Sequence, residues 1–561
     1  MQKNKRRQVG LLVPVSMLPG GQGIGDPQAV IGALDFCARY HIAAMQVLPI
    51  GDSGFDPSPF SGVDSGALSH VLLHMAPGWV PGLTADNNFL DQPQLVSSLN
   101  DGGVNYPVVN ILKARALQDA FKHLEVNSAA DQAMMRRRRK FADDNQDWLP
   151  VYTLFRVLMG RYADADFKEW PGASTYEEAE RWLSGLSNPE RRLIETKRRF
   201  HTYVQWVADE QWLRVKAHAE RLGIQLIGDI PYSMSRKSTV MWGLDSHLFK
   251  PNWSGGAPPE RAFGGTSFLS RFGQNWGGAV PRWDRHEEIK FAWWERRIQR
   301  IARYFHRFKF DHALGPFRQW CFPFDPGPDQ QLLSLTPDQV RQFTGGRYPQ
   351  FLPRGDDSPD DRERNRQDGR RRIAAIMDLS SDHGVDVFFE ALGVVPPYVR
   401  PTLDELGAAR IIIPHWEPLK DGFYPSMADY PQKSVAAWGT HDQKPQRITY
   451  EEMWARSDDQ GQWEMERMTR LLDLDHPPTS YTPGLHMRTH EALMESTADT
   501  VMFYAPSFFA TRLELNRPGT TAGCWTERFP QPFEAYEDDP IVGPLLRALP
   551  RMIERTGRRV N

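Results

Sequence analysis

Asp229, Asp311, Glu390 and the pair His441-Asp442 each stand at the end of a short apolar run or just beyond one. Two carboxyl groups in different protonation states can divide a reaction between them. One attacks or stabilises a carbon centre while the other gives a proton to the leaving oxygen, as cleavage of a glycosidic bond requires. Val385, Val387, Phe388 and Phe389 flank Glu390, surroundings that favour a neutral acid and raise its pKa. Lys309 lies two residues before Asp311, on the same strand face, and a cation there favours the ionised form that a nucleophile needs. The reading leaves Asp311 charged and Glu390 protonated. Paired carboxylates serve many reactions, and a single acidic residue at a strand end more often caps a loop or helix. Four such positions on one rim carry more weight. His441 and His415 have no third ligand at a useful spacing, so no metal is expected.

These residues need a scaffold that brings strand ends together. Apolar runs at 11–14, 44–49, 225–229, 307–311, 385–390, 410–414, 435–440 and 500–504 give eight candidate strands. Helical periodicity at 29–40, 200–222, 289–306 and 371–383 precedes the second, third, fourth and fifth of them. Strands alternating with helices imply an α/β protein with a parallel sheet, and eight imply a (β/α)8 TIM barrel, whose active sites lie at the C-terminal ends of the strands.

The connection from 51 to 225 is too long for a barrel loop and reads as a largely helical insertion between the second and third strands. The expected division is 1–84 for the start of the catalytic barrel, 85–210 for a helical subdomain bordering the cleft, and 211–561 for the rest of the barrel. The charged stretch 356–372 has no apolar period and reads as a mobile surface loop. Trp242, Trp293 and Trp294 lie in or beside helical segments and read as core, whereas Trp276 in a Gly-rich loop reads as a ligand platform.

Composition narrows the partners. The 561 residues are 40% hydrophobic and 24% charged, with a formal net charge of −3, so no global positive field draws nucleic acid or anionic lipid. The basic runs 136–140 and 370–372 sit beside acidic residues and read as solvated faces. Cys37, Cys321 and Cys524 are scattered and form no metal or disulfide pattern, which fits a reducing compartment. The apolar run after the basic N-terminus is short and broken by Pro14, so the expected location is the cytoplasm.

Longer motifs add a specific resemblance. Leu18-Pro-Gly, Gly23-Ile-Gly-Asp26, Gln46-Val-Leu-Pro49, Ser58-Pro-Phe60, Gly228-Asp-Ile-Pro231, Val240-Met-Trp242, Gly273-Gln-Asn-Trp-Gly277 and Trp293-Trp-Glu-Arg296 occur in order. Asp311-His312, Glu390 with Leu392-Gly393, Gly439-Thr-His-Asp442 and Asn516-Arg-Pro-Gly-Thr520 with Trp525 follow. In this order they resemble the 4-α-glucanotransferases (amylomaltases) of glycoside hydrolase family 77, nearly end to end.

The resemblance implies a retaining double displacement on α-1,4-glucans, with donor and acceptor maltooligosaccharides as partners and no cofactor. It casts Asp311 as nucleophile, Glu390 as acid/base and Asp442 as the third carboxylate. Phe60, Asp229, Trp276, Lys309, His312 and His441 would bind substrate. The chain departs from the family at Lys309, where Arg is usual, and at Phe60, where Tyr is usual. Ala391 replaces Asp, Gln443-Lys444-Pro445 replaces Asn-Asp-Thr, and Gly277-Gly-Ala-Val-Pro281 lacks an Asn and an aromatic. Arg offers a planar fork where Lys offers a point charge, so re-tuned activity is expected. Hydrolysis by the same residues and a weakly active or inactive glucan-binding homologue are the alternatives.

Overall fold

The computed structural model describes residues 7–127, 132–260, 270, 272–323, 336, 338–339, 342, 348–456, 458–517 and 523–558. Twelve strands occur among them: β1 (Gln8–Leu12), β2 (Ala44–Gln46), β3 (Gln225–Ile230), β4 (Phe249–Ala257), β5 (Gln274–Pro281), β6 (Arg307–Phe310), β7 (Gln319–Phe322), β8 (Gln350–Leu352), β9 (Asp386–Phe389), β10 (Ala409–Ile412), β11 (Ser434–Ala436) and β12 (Thr500–Tyr504). Eight of them close a barrel in the order β1-β12-β11-β10-β9-β6-β3-β2, and every pairing in it is parallel. The fold is the (β/α)8 barrel that the strand–helix alternation predicts, with a strand inside or overlapping each of the eight candidate runs.

Most residues of the barrel strands are buried on both faces, with a few polar ones such as Asp229 and Lys309 among them. Every residue of β12 is buried, as are Val9 to Leu12 of β1. A strand covered on one side by helices and filled on the other by barrel side chains reads as a continuous hydrophobic run. Trp242, Trp293 and Trp294 are buried, as their helical settings predict.

Between β2 and β3 the chain is mostly helical, with helices Tyr106–Asn127, Gln132–Asp144, Leu149–Tyr162, Tyr176–Gly185 and Asn188–Arg221. The last begins with a capping box in which Ser187 and Glu190 satisfy each other's backbone N–H groups, and it continues unbroken to the start of β3. The basic run 136–140 lies on a solvated helix; Arg138 alone of it turns inward, pairing with Glu125 at 2.6 Å beneath the Phe121 ring.

Two sequence expectations fail. The charged stretch 356–372 is not a loop: helix Pro359–Asp382 runs through most of it, capped by the Ser358 side chain, with Pro359 and two aspartates in its first turn. Its charges hide the apolar period because several are paired inward, Arg372 bonding Glu287 at 2.9 Å and the Pro316 carbonyl at 2.7 Å. Trp276 lies not in a loop but in β5, part of a second, antiparallel sheet in the order β5-β4-β7-β8. That sheet escaped the sequence reading because β4 and β5 are rich in glycine and polar residues, and their pairing is broken by register shifts. No helix among the described residues is long and apolar enough to cross a membrane.

Candidate active site

Strand register assembles the centre of the site. Asp229 of β3 lies directly opposite Lys309 of β6, and Phe310 lies opposite Phe389 of β9. Asp311 and Glu390 are each one residue beyond those strand ends, so continuing the register makes them neighbours. The backbone holds them there: Asp311 N–H donates to Ile230 O at 3.1 Å, and Glu390 N–H donates to Phe310 O at 3.0 Å. Because side chains alternate, Lys309 and Asp311 share the inward face while Phe308 and Phe310 are buried on the other.

Lys309 is the hub. Its Nζ lies 3.0 Å from Asp229 Oδ2 and 3.0 Å from Asp311 Oδ1, and it also bonds Glu390 Oε2. One ammonium thus faces three carboxyl groups, hydrogen-bonding those of Asp311 and Glu390 and lying within ion-pair distance of that of Asp229. The side chains of Lys309 and Asp229 are 1% and 0% exposed, whereas those of Asp311 and Glu390 are 23% and 12% exposed. This gradient separates roles. Of this cluster only Asp311 and Glu390 are partly exposed, while Asp229 and Lys309 lie buried behind them.

The same geometry separates the protonation states. Burial raises the Asp311 carboxyl, but the Lys309 ammonium beside it outweighs that and holds it below the ordinary carboxylate range. For Glu390 burial dominates, Lys309 only partly offsets it, and the Asp311 and Asp442 charges add to the rise, bringing it to about 7. Burial also pushes Asp229 well above its usual value. Burial opposes the Lys309 charge, yet the three carboxyl groups keep it firmly protonated.

Around this core lie the aromatic and polar walls. Phe60, in the loop after β2, stacks on His441 with ring centroids 4.9 Å apart, and its ring lies 5.4 Å from Lys309 Nζ. Trp525 closes the cluster at 5.9 Å from Phe60 and 5.8 Å from His441. His441 Nε2 is 3.3 Å from Asp442 Oδ1, which also accepts a 2.7 Å bond from Asn516 Nδ2. On the far side the half-exposed Trp276 meets His312 edge-on at 4.8 Å. His312 has φ 44°, a left-handed conformation unusual outside glycine, and the next residue's N–H donates to Glu390 O at 2.8 Å. Burial lowers His312 to about 4, leaving the ring neutral.

All nine residues singled out from the sequence therefore lie in or against one centre. The sequence reading assigned no site role to Asn516 or Trp525, though both stand in the C-terminal motif; Pro518, Gly519 and Thr520 of that motif fall outside the described residues. Among the departures, Ala391 is buried and packs in the apolar cluster around β6 and β9. Gln443 Oε1 accepts from the Thr440 N–H and, at 2.9 Å, from its hydroxyl, which stitches the loop before Asp442. Among the described residues no group of acidic, His or Cys side chains is arranged to hold a metal.

Comparisons agree with this architecture. A family model described as 4-alpha-glucanotransferase, glycoside hydrolase family 77, matches residues 13–533. The chain is 27% identical to a 4-alpha-glucanotransferase of Thermus thermophilus, covering 78% of each chain. It is 24% identical to one of Synechocystis sp., covering 99% of each. Among solved structures it resembles the amylomaltase from Streptococcus agalactiae in complex with acarbose, with a TM-score of 0.75 and 19% identity over 99% of this chain and 100% of that one. The amylomaltase from Corynebacterium glutamicum follows, with a TM-score of 0.71 and 15% identity over 97% of this chain and 75% of that one.

Proposed function

Since this chain belongs to glycoside hydrolase family 77, the 4-alpha-glucanotransferases, we propose that it moves segments of α-1,4-glucan between maltodextrins by a retaining double displacement. The observation that carries the reading is a single buried ammonium gripping two cleft-facing carboxyl groups of opposite disposition, Asp311 held low and Glu390 raised to about 7. Near neutral pH one is a nucleophile and the other an acid.

Asp311 attacks the anomeric carbon while the glycosidic oxygen takes the bonding pair and the Glu390 proton. The glucan fragment beyond the bond leaves, and a glucosyl ester remains on Asp311. The 4-hydroxyl of an acceptor glucan then gives its proton to Glu390 and displaces Asp311, restoring the starting configuration. Asp442 and His441 hold hydroxyls of the distorted sugar with bonds that strengthen in the transition state. Phe60 and Trp276 offer flat apolar faces to the sugars, while Lys309 and Asp229 set charge and position from below. The reaction takes no cofactor.

The helical segment 85–210 borders the cleft and, by limiting water, lets an acceptor sugar compete for the ester. Three buried cysteines scattered along the chain fit the cytoplasm, where such glucans would be met.

Maltotriose tests the reading. We expect longer maltodextrins plus glucose, and no change with Asp311→Asn. Shorter sugars alone would replace transfer by hydrolysis, and no turnover by the wild type would overturn the reading.

A further inference from the structure

The segment 439–445 carries His441 and Asp442 from the end of β11 to helix Gln446–Ala455. Both of its ends are anchored. Before it, Trp438 Nε1 donates to Thr489 O at 2.8 Å; after it, Gln446 N–H donates to Ser507 Oγ at 3.1 Å. Behind the segment lies a small cavity walled by His415, Trp438, Gln446, Tyr450 and Tyr481, among others. His415 lies against Trp438 with nearly parallel rings, centroids 6.2 Å apart.

Most polar groups on this wall have partners. The Tyr450 hydroxyl donates to Pro478 O at 2.6 Å, the Tyr481 hydroxyl meets His486 Nδ1 at 2.9 Å, and the Thr489 hydroxyl donates to His486 O at 2.8 Å. Two atoms do not: His415 Nδ1 and Gln446 Oε1 are buried with no hydrogen-bond partner in the protein. Buried polar atoms are nearly always satisfied, and although Met453, Met468 and Leu472 make much of this wall apolar, a space of about 20 Å³ lined by two orphaned polar atoms has room and partners for one ordered water. The chemistry is complementary. Burial lowers His415 to about 4, so its ring is neutral and its Nδ1 can carry a hydrogen, while an amide oxygen only accepts. A water can take the imidazole hydrogen and give one of its own to Gln446.

We propose that His415 and Gln446 bind one water between them, and that this bridge ties Gln446, just after the 439–445 segment, to His415, which packs on Trp438 just before it, and so positions Asp442 and His441. The bridge follows from the cavity. Its effect on turnover rests on the role given to Asp442 above. His415 and Gln446 are positioning residues, since neither belongs to the aromatic and carboxyl cluster around Lys309.

Two measurements test this. The first is the wild-type crystal structure at high resolution, which should show a spherical density peak within hydrogen-bonding distance of both atoms. An empty niche overturns the bridge, whatever the activity. The second is a cycle of His415→Phe, Gln446→Met and the double variant, each read as kcat and KM for maltotriose transfer beside its melting temperature. Each single change should lower kcat by about tenfold, the worth of one hydrogen bond, with KM little altered. The double variant should be no slower than the slower single, because both remove the same water. Losses that multiply, or a lower melting temperature with kcat kept, overturn the positioning role. Were the wild type itself inactive on glucans, the functional reading would fail while the crystallographic result still decided the bridge.

Discussion

Replacing Lys309 by methionine removes the ammonium that lies 3.0 Å from both Asp229 and Asp311 and bonds Glu390. At an effective dielectric of about 20, one unit charge at that distance is worth at most about 5 kcal/mol, large against the thermal energy. The ammonium acts on each carboxyl group separately, so its loss makes the ionised form of each less favourable. The sign is the same for both cleft residues. Lys309 lowers Asp311 and partly offsets the rise of Glu390, so its loss moves both upward.

In the wild type the rate should rise as Asp311 ionises below its ordinary value and fall as Glu390 loses its proton near pH 7. In Lys309→Met both limbs should move to higher pH, with a lower maximum. Lys309→Arg should restore the position of the limbs, since it restores the charge. The assay is kcat/KM for maltotriose transfer as a function of pH. Limbs that stay in place in the methionine variant would refute the argument that this ammonium sets the two protonation states.

Asp229 is fully buried with its carboxyl pushed well above the usual range, so Asp229→Asn should keep activity within about threefold; a loss beyond about tenfold would mean that it works ionised. Asn516→Ala removes the 2.7 Å bond to Asp442, a bond to a charged group worth about 1.5–3 kcal/mol. It should cut kcat by roughly ten- to a hundredfold with little change in KM, measured on the same substrate. His70, His286 and His490 are buried and lowered to about 4, 3 and 4 by desolvation. The unfolded chain therefore binds protons that the fold refuses between about pH 6.5 and 4, and each of these groups should remove about 1.4 kcal/mol of stability per pH unit as pH falls through that window. Denaturant unfolding across that range would show this decline, and a flat profile would contradict it.

Much of the fold was legible because the barrel strands announce themselves as short apolar, β-branched runs, most of them stopping at a polar or small residue. Asp311 and Glu390 could be placed as neighbours because a parallel barrel aligns successive strand ends. What the sequence hid has physical causes. Lys309 could be seen to sit beside Asp311, but not to reach Asp229 and Glu390 as well, since that depends on the register of three strands distant in the chain. The helix Pro359–Asp382 carried its start signal in Ser358-Pro-Asp-Asp, yet the inward face of its first half holds Asn365, Gly369 and the paired Asp368 and Arg372 in place of an apolar stripe. The second sheet is poor in the apolar alternation that marks a strand, so Trp276 passed for a loop residue. The aromatic cluster of Phe60, His441 and Trp525 joins three loops, and nothing local in any of them encodes the meeting.

The central claim is that Asp311 bonds to the sugar while Glu390 handles the proton. It is tested most directly by treating Glu390→Gln with α-maltosyl fluoride, whose leaving group needs no acid, and mapping the product by peptide mass spectrometry. Without the base that activates the acceptor, the ester should accumulate, and the peptide containing Asp311 should gain the mass of one maltosyl unit. A maltosyl group on a different residue, or fluoride released with no modified peptide in either the variant or a rapidly quenched wild type, would contradict the account.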